Sequence, residues 1–344
     1  MNNPNMLDPK MAPTLWTREG FGGPVAAAVR AAHTPSYLRV EGPHGPRRNI
    51  LARMVPKDES SADALPTVIA TSREGLRMSM SGRKEAMPFV IRNVECDEVH
   101  FVQSGSVRFE TEFGELDAEA GDFVFIPRAV AYKFHPVSGG MRSLIIESPW
   151  ALKVNAPFGV IMPSDIGRPT VKPNPTRDCE TKLVVKTRDD LTTFVLPYDP
   201  TVLLALVIGE NPVWKVNLAK IQTGSYAPVG GPPVQIITTA NSEFCVFNLS
   251  SRVGLRPPPH LNADYDEFIV YAAGPGHWGA CSEPGTITLV PKGVPHQGMD
   301  ENVPEGYLAW LVECRPTLRW TEEGLHASEL MDTSTYGPLG GAKP

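Results

Sequence analysis

The sequence has no apolar segment long enough to cross a bilayer, and its start has no basic stretch followed by an apolar core. The first absence argues against an integral membrane protein, and the second argues against a secretory signal. Lysine and arginine are not clustered among aromatic residues, and the formal net charge is −6. A nucleic acid is therefore a poor candidate partner. We expect a cytoplasmic protein that binds neither membranes nor nucleic acids.

Cysteine is scarce, and no two cysteines form a Cys-x-x-Cys pair. An odd and scattered set argues against a disulfide framework and against a structural zinc site. The five residues are Cys96, Cys179, Cys245, Cys281 and Cys314. With 42% hydrophobic and 20% charged residues, the composition is that of a globular protein whose cysteines are small buried hydrophobes.

Proline and glycine, with 35 and 30 residues, are spread along the whole chain. Frequent breakers between short apolar segments favour many short strands over long helices. In residues 106–113 apolar and charged side chains alternate, as they do in a strand with one buried face. The one short helix that we expect near the start covers residues 26–33.

The two halves of the chain repeat one plan. Glu98 and Glu267 each stand seven residues before a glycine, and each is followed later by a strand-like segment ending in proline, at 121–127 and 285–291. A repeat of this length indicates duplication of a whole barrel. We predict an N-terminal arm (1–35), a first barrel (36–160), a proline-rich linker (161–176), a second barrel (177–322) and a tail (323–344).

Only eight histidines occur, and two of them accompany a glutamate in a pattern typical of a metal site. His260 precedes a predicted strand, Glu267 begins that strand, and His296 follows the next one. Two imidazoles and one carboxylate form the facial triad that holds Fe(II) and leaves coordination positions open. Alternate strand residues point into a barrel, so these side chains can converge there.

These residues lie in segments that resemble the two cupin motifs. Residues 254–274 resemble the first motif and residues 285–300 the second, with Asn262 where many cupins have another histidine. The resemblance implies an all-β fold of two tandem cupin barrels and a metal site with three ligands. In the first barrel the equivalent places are taken by residues other than histidine, and we expect that barrel to be metal-free: Asn93, Glu95, Glu98 and Tyr132.

A closer resemblance is to the homogentisate 1,2-dioxygenase family, over residues 101–116, 121–128, 256–260, 267–268 and 295–296. It implies Fe(II) bound by His260, Glu267 and His296. Because the spacing between histidine and glutamate differs by one residue from the family pattern, Asp266 stays an alternative ligand. The acid/base histidine of that family has no counterpart in residues 224–233, and this chain is shorter than typical members.

Other polar residues near the motifs are candidates for catalysis or for substrate binding. Tyr265, Tyr271 and His277 are the candidates for an acid or base that takes a phenolic proton. The candidate substrate-binding residues are Asn262, Tyr271, Arg256 and Arg315, since an arginine can pair with a substrate carboxylate.

We therefore predict an Fe(II)-dependent, extradiol-type ring-cleaving dioxygenase that acts on a small hydroxylated aromatic compound with O2, as a homo-oligomer. A metal-dependent isomerase, lyase or hydrolase is an alternative, because a fold does not fix a function. A third possibility is a cupin that binds a small molecule without catalysis.

Overall fold

The computed structural model describes residues 13–19, 22–29, 37–155, 160–173, 178–223, 233–251, 259–296 and 301–340. Within these ranges nearly all regular structure is β-strand, as the abundance of turn residues predicts. No helix in the described ranges is long and apolar enough to cross a membrane.

Strands and helices are numbered here in chain order. The first part of the chain contains β1 (Pro13–Glu19), β2 (Gly22–Val29), β3 (Arg47–Ile50), α1 (Lys57–Ser60), β4 (Thr67–Thr71), β5 (Arg77–Ser81), β6 (Val90–Asn93), β7 (Asp97–Ser104), β8 (Ser106–Thr111), β9 (Gly114–Glu119), β10 (Asp122–Ile126), β11 (Ala131–Pro136), β12 (Arg142–Ser148) and β13 (Lys153–Val154). The second part contains β14 (Asp178–Lys186), β15 (Leu191–Tyr198), β16 (Trp214–Asn217), β17 (Val234–Thr238), β18 (Phe244–Asn248), β19 (His260–Asn262), β20 (Asp266–Ala273), β21 (His277–Trp278), β22 (Thr286–Val290), β23 (Glu301–Asn302), β24 (Leu308–Cys314), β25 (Arg319–Trp320), α2 (Glu322–His326) and β26 (Ser328–Leu330).

Two sandwich-like barrels are built from these strands. The first has a seven-stranded sheet, β16-β10-β7-β12-β5-β4-β25, facing a six-stranded sheet, β15-β14-β6-β11-β8-β9. The second is built on an eight-stranded sheet, β13-β17-β18-β24-β20-β22-β3-β26, with the smaller sheets β19-β1-β2 and β21-β23. The predicted all-β fold of two cupin barrels is confirmed.

The barrels exchange strands, so the strand pairing does not follow the predicted boundary at residue 177. β14 pairs in parallel with β6, and β16 pairs with β10, which places residues 178–198 and 214–217 in the sheets of the first barrel. In the other direction, β3 pairs with β22 of the second barrel. Pairing between strands so distant in sequence leaves no local signal, so the proline-rich segment alone does not predict the boundary.

Both chain ends also differ from their predicted structure. The predicted short helix at 26–33 is wrong where it is described, because β2 covers Gly22–Val29 and pairs with β1. The segment predicted as a tail contributes β26, which pairs with β3, and it carries the fully buried residues Met331 and Tyr336. Thr14 and Thr17 of the predicted arm are buried as well.

The glycines that mark the repeat have a steric reason. Gly105 follows β7 and Gly274 follows β20, with φ of +81° and +90°, a region in which residues with a Cβ are strained. A Cβ atom on Gly105 would lie 2.6 Å from the Gly140 oxygen, and one on Gly274 would lie 1.8 Å from the Gly306 oxygen. Both positions therefore require glycine at the end of the strand that carries the repeated glutamate.

The central strands β7 and β20 are buried on both faces. In β20 the residues Phe268 and Val270 join a core that lies between the barrels, whereas Ile269 and Tyr271 point into the second barrel. The core between the barrels centres on Trp310, whose ring lies 5.0 Å from that of Phe101 and 5.2 Å from that of Phe123. Glu267 lies on the same face of β20 as Ile269, inside the barrel.

We predict that Trp310→Ala destabilises the whole molecule, because it opens a cavity in the core that both barrels share. Loss of a fully buried tryptophan costs roughly 3–5 kcal/mol. Urea denaturation followed by circular dichroism measures this loss. Phe194→Ala, at a side chain that is 50% exposed, serves as the control and should change the free energy of unfolding by less than about 0.5 kcal/mol. A loss below 1 kcal/mol for Trp310→Ala would argue against a shared core.

Candidate metal centre

Two histidines are brought together by their own backbones. His260 in β19 and His296 after β22 form an antiparallel bridge: the His260 N–H donates to the His296 carbonyl at 3.1 Å, and the His296 N–H donates to the His260 carbonyl at 2.9 Å. Their ring centroids are 4.2 Å apart. The bridge fixes the two imidazoles side by side without help from any ligand.

Glu267 brings a carboxylate to the same place from β20. One ligand atom from each of His260, Glu267 and His296 can be chosen so that all three lie within 4.8 Å of one another. Glu267 and His296 are buried, and His260 is partly buried. Three donor groups of this kind at this spacing match a metal site with open positions.

The protonation of His296 leaves a donor atom for a metal. Its Nδ1 lies 3.0 Å from the Val294 carbonyl, and a carbonyl only accepts, so Nδ1 carries the hydrogen. In the neutral ring Nε2 then presents a lone pair toward the cluster. That Nε2 is buried, lies 3.5 Å from a carboxylate oxygen of Glu267 and makes no hydrogen bond to the residues that the structure describes. A buried nitrogen of this kind is costly unless something binds it, so the residues fit a metal ion.

The negative charge of Glu267 and the positive charges that the two histidines can carry stabilise each other. Burial acts to raise the pKa of Glu267, but the neighbouring positive charges of His296 and His260 outweigh it and lower that pKa. Burial acts to lower the pKa of His296, and the charge of Glu267 raises it instead. A divalent cation bound between these groups would take the place of the proton that His296 can carry on Nε2.

Asn262 holds Glu267 in position. Its Nδ2 lies 3.3 Å from a carboxylate oxygen of Glu267, and its Oδ1 accepts a hydrogen bond of 2.9 Å from the Thr17 hydroxyl. Since Thr17 donates to Oδ1, the amide nitrogen is turned toward Glu267. Thr17 belongs to β1, which pairs with β19, so the N-terminal segment supports the site. The sequence gives no sign of this role for Thr17.

Asp266, the alternative ligand, points away from the cluster. It precedes Glu267 in β20, and neighbouring strand residues face opposite sides. Its two carboxylate oxygens accept hydrogen bonds from the backbone N–H groups of Lys292 at 2.9 Å and Leu318 at 2.6 Å. The geometry therefore favours Glu267 as the carboxylate ligand.

The other candidate residues are engaged with the protein itself. The Tyr265 hydroxyl donates to the Ser242 carbonyl, the Tyr271 hydroxyl donates to the Gly274 carbonyl, and His277 Nδ1 lies 3.2 Å from the Gly279 carbonyl. The Arg315 guanidinium bonds Asp264 and lies over the Tyr265 ring. Arg256 and most of the segment 224–233 lie outside the described residues.

The sequence is similar to those of several homogentisate 1,2-dioxygenases. A homogentisate 1,2-dioxygenase of Bradyrhizobium diazoefficiens is 28% identical over 285 residues, which span 70% of this chain and 60% of that enzyme. One from Rhodopseudomonas palustris (strain BisA53) is 31% identical over 58% of this chain and 49% of the enzyme. The resemblance to homogentisate 1,2-dioxygenases is confirmed. The matched segments span only about half to three fifths of the length of these relatives.

No family model matches the chain. Among solved structures, a cupin 2 conserved barrel domain protein from Leptotrichia buccalis is 11% identical with a TM-score of 0.36, covering 76% of this chain and 96% of that one. A variant of Bacillus subtilis oxalate decarboxylase is 12% identical with a TM-score of 0.40, covering 82% of this chain and 79% of that one.

Two buried residues near the cluster of His260, Glu267 and His296 are not predicted from the sequence. Glu313 in β24 lies opposite Glu267 in β20, and burial together with the Glu267 charge raises the pKa of Glu313 well above its usual value. Tyr336 is fully buried and close enough for Glu267 to raise its pKa. The internal repeat carries a signal for Glu313, because Glu147 occupies the matching position near the end of β12. Tyr336 lies in the segment predicted as a tail, which carries no such signal.

The first barrel has different residues at the corresponding positions. Tyr132 is paired with Ile91 where His296 is paired with His260. The Tyr132 hydroxyl donates to Glu98 at 2.5 Å, and Asn93 Nδ2 donates to Glu98 at 2.9 Å. Burial acts to raise the pKa of Glu98, but hydrogen bonding from His100, the charge of Lys186 and the Tyr132 hydrogen bond lower it to about 2.

We predict that Glu98→Gln removes a pH-dependent part of the stability. A carboxyl whose pKa is lower in the folded than in the unfolded protein stabilises the fold above about pH 4.5, and that contribution is lost as the pH falls toward 2. A difference of this size amounts to roughly 3 kcal/mol. Urea denaturation between pH 3 and pH 7 should show a flatter pH dependence for Glu98→Gln than for wild type.

Glu74→Gln, at an exposed residue, is the matched control and should follow the wild-type pH dependence. If Glu98→Gln also keeps the wild-type slope below pH 4.5, the Glu98 carboxylate does not hold the first barrel together as described.

Proposed function

We propose that the protein is an Fe(II)-dependent ring-cleaving dioxygenase acting on a small hydroxylated aromatic compound with O2. The observation that carries the proposal is the buried cluster of His260, Glu267 and His296, in which His296 Nε2 makes no hydrogen bond to the described residues and lies 3.5 Å from a Glu267 carboxylate oxygen. The similarity to homogentisate 1,2-dioxygenases supports the same reaction class. Since the matched segments cover only part of those enzymes, homogentisate itself is one candidate among related substrates.

The iron would be held by the two imidazoles and the Glu267 carboxylate. When bound, it supplies coordination positions at which a phenolic oxygen and O2 meet, together with the electrons that O2 chemistry requires. Asn262 keeps the Glu267 carboxylate oriented through its hydrogen bond, and a ligand oriented in this way binds the metal more tightly.

The barrel interior next to the cluster is suited to an aromatic ring. Ile269, Tyr271 and Leu311 form part of an apolar cluster on the same side of the sheet as Glu267, and such a wall excludes water from the reacting atoms. We assign Tyr271 to this wall, because its hydroxyl proton is held by the Gly274 carbonyl. Arg256 and Arg315 are proposed to attract the substrate carboxylate, and Tyr265 and His277 stay candidates for proton transfer.

Removal of one ligand should abolish iron retention. We predict about one iron per wild-type chain after anaerobic loading with Fe(II) and desalting, and below about one tenth of that for His260→Ala, His296→Ala or Glu267→Gln. Iron is measured by elemental analysis, and circular dichroism checks folding. Asp266→Asn should retain iron, since Asp266 faces the backbone of Lys292 and Leu318. Full iron retention by all three ligand variants would refute the assignment.

The reaction class is tested by oxygen consumption. The iron-loaded protein should consume O2 with at least one of homogentisate, gentisate, a salicylate or an aminophenol, and His296→Ala should not. Turnover of such a compound without O2 uptake would favour a metal-dependent isomerase, lyase or hydrolase. Binding of a compound without any turnover would favour a binding protein.

A further inference from the structure

The first barrel contains a cavity of about 350 Å³. This volume is within the range of sites for small molecules, which begins at about 300 Å³. Its polar lining includes Arg77, Ser79, Glu98, Glu147 and Lys186, from strands of both sheets of the first barrel, and also Asp190 and Glu323 among other residues. None of the three residues of the cluster around Glu267 lines this cavity.

The two buried carboxylates of the cavity are already engaged. Glu98 accepts from Asn93 and from Tyr132, and both carboxylate oxygens of Glu147 accept from Lys186 at 2.7 Å. The Asn93 amide also donates to Glu147 at 3.1 Å. A ligand that mainly donates hydrogen bonds would therefore compete with bonds that the protein makes to itself.

Several hydrogen-bond donors, in contrast, can form further hydrogen bonds. The Ser79 residue lines the cavity, and its buried hydroxyl has no hydrogen-bond partner among the described residues, a situation that is costly unless a bound molecule supplies one. Lys186 has a third ammonium hydrogen beyond its two bonds to Glu147. Arg77 donates through one guanidinium nitrogen to Asp189 and to the Arg188 carbonyl. Its other guanidinium N–H groups can therefore donate to a ligand. Because Asp189 is 79% exposed, its ion pair with Arg77 is weak.

Another part of the cavity wall is apolar. Met87, Ile91, Phe134 and Ile145 line it, and all four are buried. Ile91 and Tyr132 stand where the second barrel has His260 and His296, so the barrel has an apolar wall and a phenol in place of two metal ligands. A ligand that fits must combine an acceptor group with a compact apolar body.

We propose that this cavity binds a small monocarboxylic acid with a compact apolar body. The carboxylate lies against Ser79, Lys186 and Arg77, and the apolar part lies among Ile91, Phe134 and Ile145. The guanidinium and the ammonium supply charge-assisted hydrogen bonds to the carboxylate. Burial of the ligand's apolar part against the apolar wall adds a favourable hydrophobic contribution. This site does not depend on the metal centre of the second barrel.

Calorimetric titration of the full chain with three probes of one size tests the proposal. We expect saturable binding of one benzoate per chain, at least about tenfold tighter than benzyl alcohol or benzylammonium. Arg77→Met and Ser79→Val should each weaken benzoate binding, the first by removing charge and the second by filling the cavity and removing the hydroxyl. His260→Ala should bind benzoate as wild type does.

Three results would overturn the proposal. If none of the probes binds, the cavity holds only water. If benzylammonium binds more tightly than benzoate, the carboxylates dominate the site rather than the donors. If His260→Ala loses benzoate binding while Arg77→Met and Ser79→Val keep it, the acid binds in the second barrel. Circular dichroism of each variant shows that a loss of binding does not come from unfolding.

Discussion

A carboxylate buried inside a barrel requires a compensating positive charge or a set of hydrogen-bond donors, and the arrangement around Glu267 follows from this requirement. Glu267 is buried on a central strand, where water cannot stabilise its charge. Within the described residues its neighbours supply only partial compensation: one amide hydrogen from Asn262 and protons that the two imidazoles can hold. A divalent metal ion satisfies the carboxylate and both imidazoles together.

The first barrel solves the same problem with the protein's own groups. Asn93 and Asn262 each stand five residues before the buried glutamate and donate to it. In the first barrel a phenol donates to Glu98 as well, and Lys186 from β14 neutralises Glu147. Because β14 comes from beyond the proline-rich segment, the exchange of strands between the halves supplies the charge that the first barrel needs. Of the two repeated barrels, the second thus has side chains that can bind a metal, whereas the carboxylates of the first are bonded to other groups of the protein.

The sequence predicted the features that depend on local spacing. Glycines seven residues after Glu98 and Glu267, the strands around them and the convergence of His260 with His296 all follow from short-range patterns. The strand exchange, the support of Asn262 by Thr17 and the packing of Tyr336 in the barrel join residues that are far apart in the chain, so no local pattern records them. Whether Asp266 or Glu267 is the carboxylate ligand depends on which side of β20 each side chain faces. Only the register of that strand in the sheet provides this information.

Anomalous diffraction at the iron absorption edge, from crystals loaded anaerobically with Fe(II), tests whether His260, Glu267 and His296 hold a single iron ion. We expect one strong anomalous peak per chain in contact with these three side chains, and none among the residues of the first-barrel cavity. A peak bonded to Asp266, a peak beside Glu98 and Glu147, or no peak at full iron loading would contradict it.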